Sequence, residues 1–155
     1  MDRRHILRRL HHRPPFLFID EVLSHSATAL HALATPTLND FYLQGHFPHV
    51  AVVPGSMMQE MTTQAAGLLI AEHFSPVPDY DSETTTGFAL GVLRAVHFAK
   101  YKKFARPHQQ LHIHIELVEH FEGTFRCKGR IESGGEKIMA NEFTLINISE
   151  AQLIG

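Results

Sequence analysis

Two hydrophobic periods divide the chain. Leu111, Ile113, Ile115 and Leu117 alternate with His112, His114 and Glu116, and Phe125, Cys127 and Ile131 alternate with Arg126, Lys128 and Arg130. A period of two buries one side of each segment and leaves the other wet, which predicts half-buried antiparallel strands. Gly123 and Gly134-Gly135 fall where hairpin turns are needed. Upstream, from Ser56 to about Phe74, the spacing becomes helical, with Ser56 as N-cap and Gln59 three residues on as the second half of a capping box. Met57, Met58, Met61, Ala65, Ala66, Leu68, Leu69 and Ile70 occupy most of its circumference, so this helix is expected to be buried on several sides.

The rest of the pattern is less regular. Ile6, Leu7 and Leu10 are spaced for a short helix that Pro14 and Pro15 end. Apolar runs from Phe16 to Leu23 and from Ala29 to Leu38 predict two strands. Asn39 to Val53, with Gly45 and Pro48, has no steady period and is expected to be a loop, closed by Pro54-Gly55; Ser75 to Thr86 is a second, polar loop. Strands, one long buried helix, then further strands predict an α+β fold, an antiparallel sheet wrapped around that helix. At 155 residues, with no internal repeat, the chain is expected to be a single domain, 1-155.

Composition narrows the function. The chain is 44% hydrophobic and 19% charged, and no apolar run approaches the roughly 20 residues needed to span a bilayer. A formal charge of -2 gives no global argument for nucleic acid. Locally, Thr84 to Ile115 holds no acidic residue but contains Arg94, Lys100, Lys102, Lys103 and Arg106, which predicts one basic region. Cys127 is the single cysteine and sits in the apolar phase of a strand, which predicts an inert buried thiol in a reducing compartment. Thirteen histidines raise the question of a metal. Zinc-type spacings are missing, so His112 and His114 are expected to be solvent-facing strand residues, and no metal or other cofactor is expected.

The expected core helix carries one polar stripe, Glu60, Thr63, Gln64 and Gly67 at i, i+3, i+4 and i+7. A carboxyl group in so apolar a setting is costly to ionise, so its acid form is favoured. Fourteen positions earlier, His46 lies in the loop with a side chain able to exchange a proton near neutral pH. Together they make a possible base and acid for a proton-transfer reaction such as elimination of water. The Pro54-Gly55 turn would add free backbone amides and the positive end of the helix dipole, suited to a carbonyl oxygen gaining charge. Spacing alone leaves packing roles open for both side chains.

Several blocks, in order, resemble a known family. HRPPFLFIDEVL (12–23), GHFP (45–48), VPGSMMQEMTTQAAGLL (53–69) and KKFARPHQQLHIHIEL (102–117) look like the motifs of the FabZ-type 3-hydroxyacyl-[acyl carrier protein] dehydratases, which have the hot-dog fold. The resemblance implies dehydration of a 3-hydroxyacyl thioester to the trans-2-enoyl product, in fatty acid or related acyl chain biosynthesis. It assigns His46 as catalytic base, Glu60 as catalytic acid and the Gly55 amide as oxyanion donor. It also implies a cytoplasmic homodimer whose active site is shared, His46 of one subunit facing Glu60 of the other; assembly of dimers into a trimer of dimers stays open. Glu60, where the related FabA-type enzymes have aspartate, points to the FabZ branch.

On that reading Met57, Met61, Gln64, Phe88 and Leu90 are candidate substrate-binding residues. Lys100, Lys102, Lys103 and Arg106 are the candidate docking face for the acidic acyl carrier protein, with Arg3, Arg4, Arg8 and Arg9 as second choice. Three departures from the family pattern stand out: His49-Val50-Ala51 after GHFP, Met61-Thr62-Thr63 inside the helix motif, and Pro107-His108-Gln109 in place of Pro-Gly-Asp. They bear on which substrate is used. The competing readings are a hot-dog acyl thioesterase and a non-catalytic acyl-binding subunit.

Overall fold

The computed structural model describes residues 1–155. Its element order is α1 (Arg3–Arg9), β1 (Glu21–His25), β2 (Ala29–Ala34), α2 (Gly55–His73), β3 (Phe88–Tyr101), β4 (Leu111–Phe121), β5 (Thr124–Ser133), β6 (Glu136–Ser149) and α3 (Glu150–Ile154). The six strands form one sheet in the order β1-β2-β4-β5-β6-β3, and each neighbouring pair is antiparallel. Strands β2 to β6 all touch α2, so the sheet curls around that helix. This is the α+β arrangement expected from the two periods.

The alternation read at 111–131 is reproduced in the burial. Leu111, Ile113, Ile115, Phe125, Cys127 and Ile131 are buried, and the intervening residues face outward. They meet α2, whose Met58, Met61, Ala65, Ala66, Leu68, Leu69 and Ile70 share the same core cluster. Burying a single such side chain is worth roughly 1.5–3 kcal/mol, so this helix is held by the sheet more than by its own propensity. Cys127 is buried as expected, and burial pushes its thiol up to about 12. His112 and His114 stand on the outer face, half-buried against His31: His112 Nδ1 lies 3.0 Å from His31 Nε2, and the His114 ring stacks on His31 at 4.1 Å.

Three local expectations are corrected. Ser56 is not the N-cap; α2 is entered through Pro54, at φ -60°, with no side-chain cap. Proline already holds the backbone angle of helix entry, and Gln59 is turned to the sheet instead, accepting from Asn141 Nδ2 at 2.8 Å. The first strand begins at Glu21, not Phe16, because the backbone of Phe16 and Phe18 is bonded to the side chain of Gln64 rather than to a neighbouring strand. The second ends at Ala34 because Pro36 cannot donate to a ladder.

Strand β3 positions the site. It is an edge of the sheet, and its register with β6 shifts at three places, which bends it. At Gly91, φ is +69° and a Cβ would lie 2.9 Å from the Gly67 Cα, so only glycine lets β3 lie this close on α2. Leu93, Val96, Phe98 and Tyr101 are exposed along the open edge.

Candidate active site

His46 is fixed by its own loop. Phe47 and Val50 exchange backbone hydrogen bonds at 3.1 and 3.2 Å, and Val52 N–H donates to the His46 carbonyl at 2.9 Å. The departure at His49-Val50-Ala51 therefore falls in a tight turn that holds the histidine. The His46 side chain donates from Nδ1 to the Val52 carbonyl at 2.9 Å, and its ring stacks on Phe47 at 4.2 Å. A carbonyl can only accept, so Nδ1 carries a ring proton, and in the neutral imidazole Nε2 keeps its lone pair.

Beyond Val52 the chain turns directly into α2. Val53 N–H bonds to the Ala105 carbonyl at 2.8 Å, and Met57 and Met58 N–H both bond to Pro54 O. The amides of Gly55 and Ser56 belong to the first turn, where no carbonyl of the helix can reach them. Glycine fits position 55 because a Cβ there would meet the Tyr101 ring at 3.0 Å. His46, Phe47, Val52, Val53, Gly55 and Met58 line a cavity of about 630 Å³ together with Tyr101, Lys102, Lys103, Phe104 and Arg106. A base nitrogen, free helix amides and an apolar wall thus share one space. That set can take a proton beside a carbonyl whose oxygen is being stabilised.

Glu60 lies elsewhere. Five positions on from Gly55, it is rotated by roughly 140° around the helix. It lines a second cavity, of about 440 Å³, with His11, His12, Phe16, Thr63, Phe88, Ala89, Leu90, Gly91, Val92, Leu93, Glu150 and Leu153. Burial raises its carboxyl above the usual range, and the hydrogen bond from Gln64 Nε2, at 3.0 Å, only opposes this. A carboxyl whose acid form is favoured by burial beside an apolar cleft can donate a proton to a leaving group.

The structure divides the sequence-selected residues. His46 and Gly55 share the first cavity with Lys102, Lys103 and Arg106 at its wall; Glu60, Phe88 and Leu90 share the second. Met57 and Met61 line neither, and Met58 takes the wall position instead. Gln64 is fully buried behind Glu60, where its side-chain oxygen accepts from Phe18 N–H and its amide donates to Phe16 O and to Glu60. Lys100 is exposed on the edge strand, away from both cavities. Besides Met58, three unselected residues bear directly on the site: Val52, Tyr101 and His12. The first acts through its backbone, the second through proximity to a glycine 46 positions away, and the third was visible only as one letter of the HRPPFL block.

Comparison with known proteins agrees with the ordered motifs. The model of the FabA-like domain matches residues 10–142. A 3-hydroxyacyl-[acyl-carrier-protein] dehydratase FabZ of Variovorax paradoxus is 37% identical over 147 residues, covering 94% of this chain and 92% of that protein. The corresponding protein of Shewanella loihica is 34% identical over 143 residues, covering 92% and 89%. Among solved structures, the dehydratase heterocomplex ApeI:P from Xenorhabdus doucetiae superposes with a TM-score of 0.78 at 17% identity, covering 96% of this chain and 94% of that one. A hypothetical thioesterase from Streptococcus pneumoniae with coenzyme A gives 0.61 at 15% identity, covering 83% and 85%. At these identities the two structures speak for the shared hot-dog fold.

Proposed function

The chain belongs to the FabA-like family, beside the FabZ-type 3-hydroxyacyl-[acyl-carrier-protein] dehydratases, and from that premise we propose that residues 1–155 form one dehydratase domain converting 3-hydroxyacyl thioesters to trans-2-enoyl thioesters. The observation that carries the chemistry is the bond from His46 Nδ1 to Val52 O, which leaves Nε2 as a base in the cavity of the Gly55 amide. His46 removes the C2 proton, and the electron pair moves toward the thioester carbonyl, whose oxygen the helix amides stabilise. Glu60 then gives its proton to the 3-hydroxyl as the C3–O bond breaks, so water leaves and the C2–C3 double bond forms.

Because His46 and Glu60 line different cavities, one chain does not assemble both groups around one thioester. Strand β3 supplies the geometry for a shared site. Its first half, Phe88 to Leu93, borders the Glu60 cavity, and its last residue, Tyr101, borders the His46 cavity. Antiparallel pairing of two copies of this open edge about a two-fold axis would set the start of one strand beside the end of the other. Glu60 of the partner subunit would then meet His46. The exposed Leu93, Val96 and Phe98 on that edge support this pairing.

The basic wall of the His46 cavity is the docking face we assign to acyl carrier protein. Lys103 is ion-paired with Glu136, whereas Lys102 and Arg106 have no acidic partner and are free to meet an acidic surface. The arginines of α1 fit less well, since Arg3, Arg8 and Arg9 already face Asp20, Asp81 and Glu72. No helix is long and apolar enough to cross a membrane; a cytoplasmic place of action is proposed from the likeness to dehydratases of acyl-carrier-protein substrates.

The test is incubation with 3-hydroxyacyl thioesters of several lengths. Dehydration gives an enoyl thioester absorbing in the ultraviolet with no free thiol. Thiol release without enoyl product would make the chain a thioesterase, and binding without turnover would make it an acyl-binding subunit.

A further inference from the structure

His12 opens the HRPPFL block, and nothing in the mechanism above uses it. It sits at the mouth of the Glu60 cavity, its Nε2 3.4 Å from Glu60 Oε1. We infer that His12 is a positioning residue for Glu60: its Nε2–H and the Gln64 amide converge on Oε1, leaving Oε2 as the oxygen that carries the proton to the leaving hydroxyl. The inference rests on the dehydration reading and specifies how its acid is held.

Gln64 has no freedom to turn. Its side-chain oxygen accepts from Phe18 N–H at 2.9 Å and its amide donates to Phe16 O at 3.0 Å, so the N–H groups face Glu60. The proton on His12 follows from what the ring lacks. Its Nδ1 is buried with no hydrogen-bond partner. A neutral imidazole carries one ring proton; Nδ1 is unpartnered in either tautomer, whereas a lone pair on Nε2 would face a Glu60 oxygen 3.4 Å away, so the proton resides on Nε2. Burial, with the nearby His11 and Arg13 charges, lowers the His12 pKa and favours the neutral ring. Stacking on Phe16, at 6.1 Å and 22°, holds its plane.

The hydrogen bond from Gln64, with His12 Nε2 3.4 Å from the same oxygen, makes Oε1 the carbonyl of a protonated carboxyl group. The acidic hydrogen is then confined to Oε2. When it moves to the 3-hydroxyl oxygen, the C3–O bond breaks with its electron pair on the departing water, and the C2 proton has gone to the imidazole of His46. The other charged groups around the pair are accounted for. Arg13 is turned away onto Leu10 O, His12 O, Ser82 and Glu83; His11 faces Tyr80; and Glu150 borders the cavity from α3. Within the cavity Thr63 spends its hydroxyl hydrogen on Gln59 O.

The test compares His12→Phe, which keeps the stacking and removes the donor, with His12→Gln, which keeps an N–H donor, and with Glu60→Gln. His12→Phe is expected to lower kcat at least about tenfold with little change in KM, the loss of a group acting on the acid. It should also move the alkaline limb of the kcat profile upward by about one pH unit, because a donor to the carboxylate form has gone. His12→Gln should recover most of both effects. The Glu60 carboxyl, followed by carbon-13 NMR of labelled protein and identified by its loss in Glu60→Gln, should titrate higher in His12→Phe even without turnover. An unmoved limb and an unmoved carboxyl titration in folded His12→Phe would overturn the inference. Full activity of Glu60→Gln would instead sink the dehydration reading, so the two failures are told apart.

Discussion

Within one chain His46 and Glu60 line different cavities, the first bordered by Gly55 at the start of α2 and the second by Glu60 itself, further along the helix and on another face. If each active site takes its base from one subunit and its acid from the other, two dead variants should rescue each other. A dimer of His46→Ala and Glu60→Gln chains holds one site with both native groups and one with neither. Random exchange of subunits should therefore restore about a quarter of wild-type activity. Absence of recovery in a mixture shown to exchange subunits would place both groups in one chain.

Burial of Glu60 makes a statement about stability as well as acidity. Its folded pKa is raised above the ordinary 4.5 by desolvation, so its contribution to stability is greatest at low pH and is lost as pH rises through the folded value. Glu60→Gln should accordingly raise the thermal midpoint at neutral pH, with the gain shrinking as pH falls through the folded value and vanishing below the unfolded pKa of the carboxyl. A midpoint lowered at neutral pH would show that the carboxylate is a favourable partner there. Gain of stability with loss of activity is the trade expected at a functional site.

Gly55→Ala should affect turnover more than folding. The added methyl meets the exposed Tyr101 ring at 3.0 Å, and the ring can move only by changing the cavity wall beside His46. A displacement of this kind is expected to cost about tenfold to a hundredfold in kcat/KM. In a Tyr101→Ala background the same substitution should cost markedly less, as a double-mutant cycle would record.

His108 stands where the family pattern has glycine, and the backbone there has φ +65°. A left-handed conformation costs a non-glycine residue roughly 1–2 kcal/mol. His108→Gly should raise the denaturation midpoint by part of that amount, offset by the larger entropy of the unfolded chain. The sheet would be unaffected, since the local bond from His108 N–H to Pro36 O needs no side chain.

Much of this fold was legible because burial is periodic. The helix over Gly55–His73 and the strands around Ile113 and Cys127 follow from where their apolar residues fall. What escaped was decided by partners distant in sequence. Phe16 to Asp20 looked like a strand but is held by Gln64, and Gln59 looked like half of a capping box but is engaged by Asn141 on β6. β3 was obscure for another reason: as an open edge it leaves Leu93, Val96 and Phe98 exposed, so burial and hydrophobicity part company there. At the site, residue types picked out His46 and Glu60. No spacing rule reveals that Val52 offers its carbonyl to one, or that His12 approaches the other.

The lone pair on His46 Nε2 is the claim from which the rest proceeds, and single-turnover formation of the enoyl thioester measures it most directly. With a 3-hydroxyacyl thioester at saturating concentration, His46→Ala is predicted to form product at least about a hundredfold more slowly than wild type while binding the thioester as tightly. A folded His46→Ala protein that forms enoyl product at the wild-type rate would contradict the account.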